Sequence, residues 1–202
     1  MSGSSTTLTH KNLLNARKLL FEVTALLDKN SIPYHLEGGT LLGIVRDKEL
    51  LPWDHDVDLS SPKPYAEKIL ALRFQLLLKG YKVSVRKSKH DVGPFKKGDY
   101  SVIKIKPLMG YYIKWFVPNY QSFVVLDLFV KAQDATHTYW QAQEKVMRVE
   151  NKYYKSFETI DYQGKPLKAP NHYKDFLTEK YGNWSIPVKE WNCGENELTI
   201  YK

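Results

Sequence analysis

Three aspartates stand at alternate positions in a short segment of this chain, which reads DHDVDLS from residue 54 to residue 60. Alternate side chains point to the same side of a β-strand, so the spacing predicts that Asp54, Asp56 and Asp58 share one face. Three neighbouring anions need a cation, and a hard divalent ion such as Mg²⁺ takes carboxylate oxygens and leaves positions open for phosphate and water. A second interpretation is that Asp54 belongs to a turn and only the other two acids are close. In either case the segment predicts a strand that carries a metal site.

A fourth acid, Asp127, interrupts an apolar stretch at 123–130. A lone charge in such a strand is costly unless it is paired or binds a metal, so Asp127 is a candidate metal ligand. The alternative is an aspartate at a strand end that faces solvent.

The net charge of +8 is concentrated in one part of the 202-residue chain. Between Lys79 and Lys106 there are nine basic and two acidic residues. This excess predicts an anionic partner, although a solvated basic surface fits the same composition. Alternation along a strand would place Lys104 and Lys106 on one face, where they would guide an anionic donor or acceptor.

Composition excludes several classes of protein. The single cysteine, Cys193, excludes a disulfide scaffold and fits a reducing compartment. The longest apolar stretch, 123–130, is much shorter than the roughly 18 residues of a membrane span. The N-terminus lacks the basic flank and apolar segment of a secretory signal. We therefore expect a globular, cytoplasmic protein without a membrane span.

Hydrophobic periodicity and turn residues predict a chain of the α+β class that has some α/β-like features. Helices are predicted at 11–29, 40–47, 61–80, 137–155 and 171–181. Strands are predicted at 33–39, 55–60, 81–87, 100–106, 111–118 and 123–130. We expect one domain, 1–202, of which the last part, 137–202, is mainly helical.

Other motifs rich in acids or glycine do not account for the segment 38–60. An EF-hand loop that began at Asp54 would need glycine and glutamate where Leu59 and Tyr65 stand. A P-loop would need lysine and a hydroxyl residue directly after Gly43. Sugar-nucleotide glycosyltransferases usually begin with a nucleotide-binding βαβ unit, whereas a helix comes first here.

The segment 38–60, GGTLLGIVRDKELLPWDHDVDLS, resembles the signature of the LicD family, which includes bacterial phosphocholine transferases and catalytic domains of the fukutin type. The matching positions are Gly39, Thr40, Leu41, Leu42, Gly43, Arg46, Pro52, Trp53, Asp54, Asp56 and Asp58. A second stretch is similar to the closing motif of the family, at Pro170, Tyr181, Gly182, Trp184 and Pro187. The resemblance implies a nucleotidyltransferase fold, in which helices flank a mixed sheet.

The resemblance also implies a metal site. Asp56, Asp58 and Asp127, with Asp54 beside them, would hold Mg²⁺ or Mn²⁺, and Asp127 would also accept the proton of the incoming hydroxyl group. His55 stands where many relatives carry aspartate, and it should face away from the metal.

Further residues are implied to bind substrate, namely Gly38, Gly39, Thr40, Arg46 and Trp53, besides Lys104 and Lys106. The glycine turn and the Thr40 hydroxyl would contact donor phosphate, and the Arg46 guanidinium would bind phosphate oxygens. Two alternatives remain open: Arg46 pairs with Asp47 or Glu49, and Trp53 is a packing residue rather than a surface for base stacking.

The implied function is metal-dependent transfer of an alcohol phosphate, such as phosphocholine or a pentitol phosphate. The donor would be a CDP-alcohol or another nucleotide, and the acceptor a glycan or related anionic compound. One alternative keeps the fold but transfers AMP or CMP to a small molecule or an RNA end. Another is a non-catalytic nucleic-acid-binding module, which would explain the charge of +8 but leaves the four acids without a purpose.

Overall fold

The computed structural model describes residues 7–108 and 124–201. Helix α1, Lys11–Lys29, has the predicted bounds. Leucine, alanine and valine side chains form a buried stripe along it, and this stripe packs against the central sheet. The strand predicted at 111–118 lies outside the described residues.

A mixed sheet of seven strands forms the centre of the described part of the chain. The strands are β1 His35–Leu36, β2 Asp56–Pro62, β3 Tyr81–Lys87, β4 Tyr100–Pro107, β5 Val125–Gln133, β6 His137–Ala142 and β7 Lys145–Glu150. Five of them follow the order β1-β2-β5-β4-β3, while β6 pairs with β5 and β7 with β6. β2 and β5 are parallel, and the other pairs are antiparallel. The mixed sheet and its helices confirm the predicted α+β class.

The register of the sheet determines which side chains meet. Asp58 on β2 is level with Asp127 on β5, and Lys104 on β4 is level with Asp127 from the other side. Val57 and Leu59 point away from these charges and are completely buried. One face of the sheet is therefore apolar, and we call the opposite face, which carries the charges, the site face.

Four further helices complete the described part of the chain: α2 Gly38–Arg46, α3 Ala66–Ala71, α4 Arg73–Leu78 and α5 Tyr173–Tyr181. The helix predicted at 61–80 is divided, since a 3-10 turn precedes α3 and Leu72 separates α3 from α4. The segment ends as predicted at Gly80, whose φ of 84° favours glycine. Within the ranges described, no helix is long and apolar enough to cross a membrane.

The region 137–202 is not mainly helical, and the prediction of a helix at 137–155 is wrong. β6 and β7 form a hairpin, and β8 Phe157–Tyr162 and β9 Lys165–Pro170 form a second one. The turn between β6 and β7 consists of Gln143 and Glu144, both with positive φ, as a two-residue hairpin turn requires. Glycine or asparagine usually occupies such positions. Gln143 and Glu144 are typical of helices instead, so the sequence does not indicate this turn. Helix α5 agrees with the prediction at 171–181.

Candidate active site

Four carboxylates gather on the site face, and we call Asp54, Asp56, Asp58 and Asp127 the acidic row. Asp56 and Asp58 lie on the same side of β2, as the alternation predicts, and Asp127 is level with Asp58 on β5. Asp54 directly follows a turn and precedes the strand, and its Oδ1 accepts a hydrogen bond of 2.9 Å from the backbone N–H of His55. The structure therefore brings all four predicted acids into one region.

The carboxylates of the acidic row repel one another. Burial, followed by the charges of Asp54 and Asp127, raises the pKa of Asp56 to about 7. Burial and then the charges of Asp56 and Asp54 raise the pKa of Asp58 well above its ordinary value. Burial also raises the pKa of Asp54. Because like charges disfavour the ionised forms, a cation at this place would stabilise the row.

One positive charge already lies beside the acidic row. The ammonium group of Lys104 forms an ion pair with Oδ2 of Asp127, and the two side chains are only 19% and 11% exposed. The other oxygen, Oδ1 of Asp127, is buried and has no hydrogen-bond partner among the described residues. A buried carboxylate oxygen without a partner is costly, so this atom fits a bound cation.

The acidic row is not drawn together around a central point. Within residues 7–108 and 124–201, no three histidine, cysteine or carboxylate side chains are grouped closely enough to hold a metal ion. To hold a metal, the carboxylates would have to move closer to one another.

The glycine turn at the start of α2 lies directly against the acidic row. A Cβ atom on Gly38 would overlap the carboxylate of Asp58, and one on Gly39 would overlap that of Asp54. Thr40 is buried, and its hydroxyl oxygen accepts a hydrogen bond of 2.8 Å from the backbone N–H of Asp58. This hydrogen bond fixes the strand that carries the acids, and the expected contact between the Thr40 hydroxyl and donor phosphate stays a prediction.

A cleft of about 470 Å³ opens over the acidic row and the glycine turn. Arg46 and Trp53 line it, together with aromatic residues from the later part of the chain, Trp140, Tyr181, Trp184 and Trp191. Its volume and its mixture of apolar and charged walls are typical of a small-molecule site. Tyr181 and Trp184 belong to the closing motif, but no feature of the sequence predicted that the four aromatic residues would converge here.

The guanidinium group of Arg46 is already engaged. It donates hydrogen bonds of 2.7 and 2.8 Å to the carboxylate of Asp47 and one of 3.3 Å to the backbone oxygen of Trp184. It also lies 5.8 Å from the ring centre of Trp53. The alternative of pairing with Asp47 is thus observed, and Arg46 connects two tryptophans of the cleft wall.

The two predicted lysines of β4 have different surroundings. Lys104 lines the cleft and contacts Asp127. Lys106 lies two residues further along the same face but is exposed and does not line the cleft. The structure therefore joins Lys104 to the acidic row and leaves Lys106 outside it.

Next to the glycine turn lie four buried charges that sequence patterns do not reveal. We call Glu37, Lys131, Lys180 and Glu197 the buried ion network, since each is at most 5% exposed. Lys131 Nζ lies 2.8 Å from Glu37, while Lys180 Nζ lies 3.3 Å from Glu37 and 3.0 Å from Glu197. Burial alone would raise the pKa of Glu37, but the charges of Lys131 and Lys180 outweigh it and lower the pKa to about 2.

The buried ion network connects parts of the chain that are far apart in sequence. Glu37 is the N-cap residue of α2 and accepts a hydrogen bond of 3.4 Å from the N–H of Gly38. Lys131 lies on β5, Lys180 on α5 and Glu197 in the C-terminal segment. Buried ion pairs cost desolvation and add little stability, so the network is better explained as a device that positions the glycine turn.

Comparison with known proteins identifies the family. Residues 31–172 match the family model described as LicD/FKTN/FKRP, nucleotidyltransferase domain. The chain belongs to the LicD family. The matched range contains the acidic row, the glycine turn and all nine strands of the described residues. This confirms the expected family.

Curated relatives match over short stretches. The lipopolysaccharide cholinephosphotransferase LicD of Haemophilus influenzae is 37% identical over 51 residues, which are 25% of this chain and 19% of that protein. The human ribitol 5-phosphate transferase FKRP is 49% identical over 37 residues, 18% of this chain and 8% of that protein. The uncharacterized protein RP689 of Rickettsia prowazekii is 36% identical over 81 residues, 39% and 29%. The chain thus spans less than a third of the length of these relatives.

Solved structures of similar shape include two enzymes of antibiotic resistance. The lincosamide adenylyltransferase LnuA with bound lincomycin has a TM-score of 0.46 and 16% identity over 85% of this chain and 86% of that one. ANT(2")-Ia in complex with adenylyl-2"-tobramycin has a TM-score of 0.46 and 15% identity over 88% and 81%. We assign the fold of this chain from its mixed sheet and from the family match.

Proposed function

We propose that this LicD-family chain is a metal-dependent transferase that moves an alcohol phosphate from a cytidine diphosphate donor to a hydroxyl group of a glycan or related acceptor. The observation that carries the proposal is the buried, unpartnered Oδ1 of Asp127. It is level with Asp58, whose carboxylate lies against a glycine turn that has no room for side chains. The names of the LicD and FKRP relatives, a cholinephosphotransferase and a ribitol 5-phosphate transferase, support the transferred group.

The carboxylate oxygens of the acidic row suit a hard divalent cation. Asp56, Asp58 and Asp127 would hold it, with Asp54 beside them, because carboxylate oxygens are the ligands that Mg²⁺ and Mn²⁺ prefer. When bound, such a cation would neutralise the phosphate charge of the donor and of the leaving group. The N-terminus of α2 adds the positive end of a helix dipole at the same place.

The residues of the chain would orient the reactants and receive the proton. The acceptor oxygen forms a bond to the phosphorus that carries the alcohol, the bond from that phosphorus to the cytidylate oxygen breaks, and CMP leaves. The carboxylate of Asp127 would accept the hydroxyl proton, while its ion pair with Lys104 fixes its position. Catalysis would then depend on positioning and charge, with no covalent intermediate on the enzyme.

Product analysis tests this proposal. The protein is incubated with Mg²⁺, a panel of CDP-alcohols, nucleoside triphosphates and glycan acceptors, with an Asp58→Asn variant as the inactive control. We expect acceptor-dependent CMP and no pyrophosphate. Pyrophosphate from a triphosphate, without CMP from any CDP-alcohol, would overturn the proposal in favour of nucleotidyl transfer. RNA binding that weakens steeply with salt, without turnover, would favour the non-catalytic module.

A further inference from the structure

The site face continues beyond the acidic row onto β4 and β3. The register pairs there are Ser84 with Lys104, Lys82 with Lys106, and Arg86 with Val102. Residues directly opposite on antiparallel strands point to the same side of a sheet. Positive side chains therefore occupy this part of the face, and we call Lys82, Arg86, Lys104 and Lys106 the basic half.

Two members of the basic half, Arg86 and Lys106, differ from the lysines nearby. In the same basic segment, Lys89 pairs with Glu144 and Lys96 with Asp91. By contrast, neither Arg86 nor Lys106 forms an ion pair within the part of the chain that the structure describes, and both are exposed. Lys106 also lies directly opposite a second lysine, an arrangement that destabilises a strand pair. Positive charges held side by side on strands form a suitable surface for an anion.

The order of residues across the site face indicates which ligand this surface would receive. From β2 to β3 it runs Asp58, Asp127, Lys104, Ser84. The glycine turn packs on the Asp58 side, so the basic half lies beyond Asp127, on the side away from that turn. Arg86 also lines the cleft, so cleft and basic half are continuous. With donor phosphates at the glycine turn, an acceptor would approach Asp127 across the basic half.

We propose that the basic half binds the acceptor, and that this acceptor carries phosphate groups close to the hydroxyl that reacts. Its role as acceptor site rests on the proposed function, whereas the binding itself does not. Arg86 and Lys106 would contact the phosphates, and Lys104 would lie between them and Asp127. A sugar or polyol phosphate fits this surface, because exposed cations side by side recognise phosphate groups and the basic half itself consists of charged side chains only. Single-stranded RNA is the alternative that the test distinguishes.

Calorimetry with a synthetic glycerol phosphate oligomer tests the proposal, because this probe has phosphodiester charges and no bases. Metal-free buffer is used, since the acidic row then repels anions and binding reports the basic half. We expect the Arg86→Ala/Lys106→Ala variant to bind about 2- to 30-fold more weakly, as expected for two exposed charge pairs. The matched control, Lys11→Ala/Lys29→Ala, removes the same charge from the ends of α1 and should bind like the wild type.

A second variant separates binding from folding. Lys106→Glu places opposite charges at a cross-strand pair, so we expect a higher melting temperature together with weaker binding of the oligomer. A defect in the fold would instead lower the melting temperature and weaken binding together. This variant keeps the test decisive if the double alanine variant does not fold.

Three results would overturn the proposal: no measurable binding, equal weakening in the variant and its α1 control, or tighter binding of a single-stranded RNA of the same charge. None of these results depends on donor or metal. Failure of the proposed function would appear elsewhere, as the absence of CMP in the product analysis. The two failures are therefore distinguishable.

Discussion

The acidic row and the buried ion network lie next to the same glycine turn, yet their charges are arranged in opposite ways. Glu37, almost completely buried, meets Lys131 and Lys180, and its pKa falls to about 2. Asp58 meets Asp56 and further acids, and its pKa rises. Within the network the protein supplies its own counter-charges, whereas the row has more negative charge than its one ammonium group balances. The difference supports the proposal that the row binds a cation, whereas the network holds structure.

The largest expected effect comes from removing a carboxylate of the acidic row. In Asp58→Asn and in Asp127→Asn we expect turnover of a CDP-alcohol to fall by about 10³-fold or more, because the cation loses a ligand. Without metal, Asp58→Asn should melt at a higher temperature than the wild type, since it removes repulsion. Near-normal turnover in both folded variants would contradict the assignment.

The same kind of change in the buried ion network should act on stability instead. Glu37→Gln leaves two buried ammonium groups without their shared carboxylate, and we expect a loss of about 3–5 kcal/mol in the free energy of unfolding. Urea unfolding measures it. In the control Glu37→Gln/Lys131→Met, one of the unpaired charges is gone and part of the loss should be recovered. If Glu37→Gln were as stable as Asp58→Asn, the contrast between the two groups would not hold.

The acidic row could be predicted because its signals are local. Alternate aspartates in a strand, and Asp127 inside an apolar stretch, identify candidate ligands from the sequence. The parallel pairing of β2 with β5, which puts Asp127 level with Asp58, then brings them together. The contact of Thr40 with the backbone of Asp58 could not be predicted, because it depends on how α2 packs on the strand.

The buried ion network could not be predicted because its members are distant in sequence. Lys180 looks like an ordinary helical lysine, and nothing nearby indicates that it meets Glu37 and Glu197. The hairpin of β6 and β7 was missed for a different reason. Its turn at Gln143 and Glu144 lacks the usual turn residues, so local propensity favoured a helix.

A pH titration adds a test at His35, which lies close enough to the buried ion network for the charges of Glu37 and Lys131 to act on it. Burial lowers the pKa of His35 from 6.5 to about 4. Between these values the unfolded chain binds a proton that the folded chain does not, so stability is full above the unfolded pKa and falls with decreasing pH, by about 3 kcal/mol at most. His35→Phe keeps an aromatic ring against Tyr154 and Phe157 and should flatten this pH dependence. An unchanged slope in the variant would assign the effect to another group.

The smallest expected effect concerns the ammonium group beside the acidic row. Lys104→Met frees Oδ2 of Asp127, so we expect Mn²⁺ to bind about three- to tenfold more tightly once the competing charge is gone. Calorimetry with Mn²⁺ measures the change. Weaker binding would show that Lys104 orients Asp127 for the metal rather than competing with it.

Electron paramagnetic resonance of Mn²⁺ tests most directly whether the acidic row is kept for a divalent cation. The wild type is titrated beside Asp58→Asn and beside Glu144→Gln, a control that removes an exposed carboxylate outside the row. We predict that Asp58→Asn binds Mn²⁺ at least about tenfold more weakly, as the loss of one charged ligand implies, and that Glu144→Gln binds like the wild type. Equal affinity in all three proteins would contradict the account.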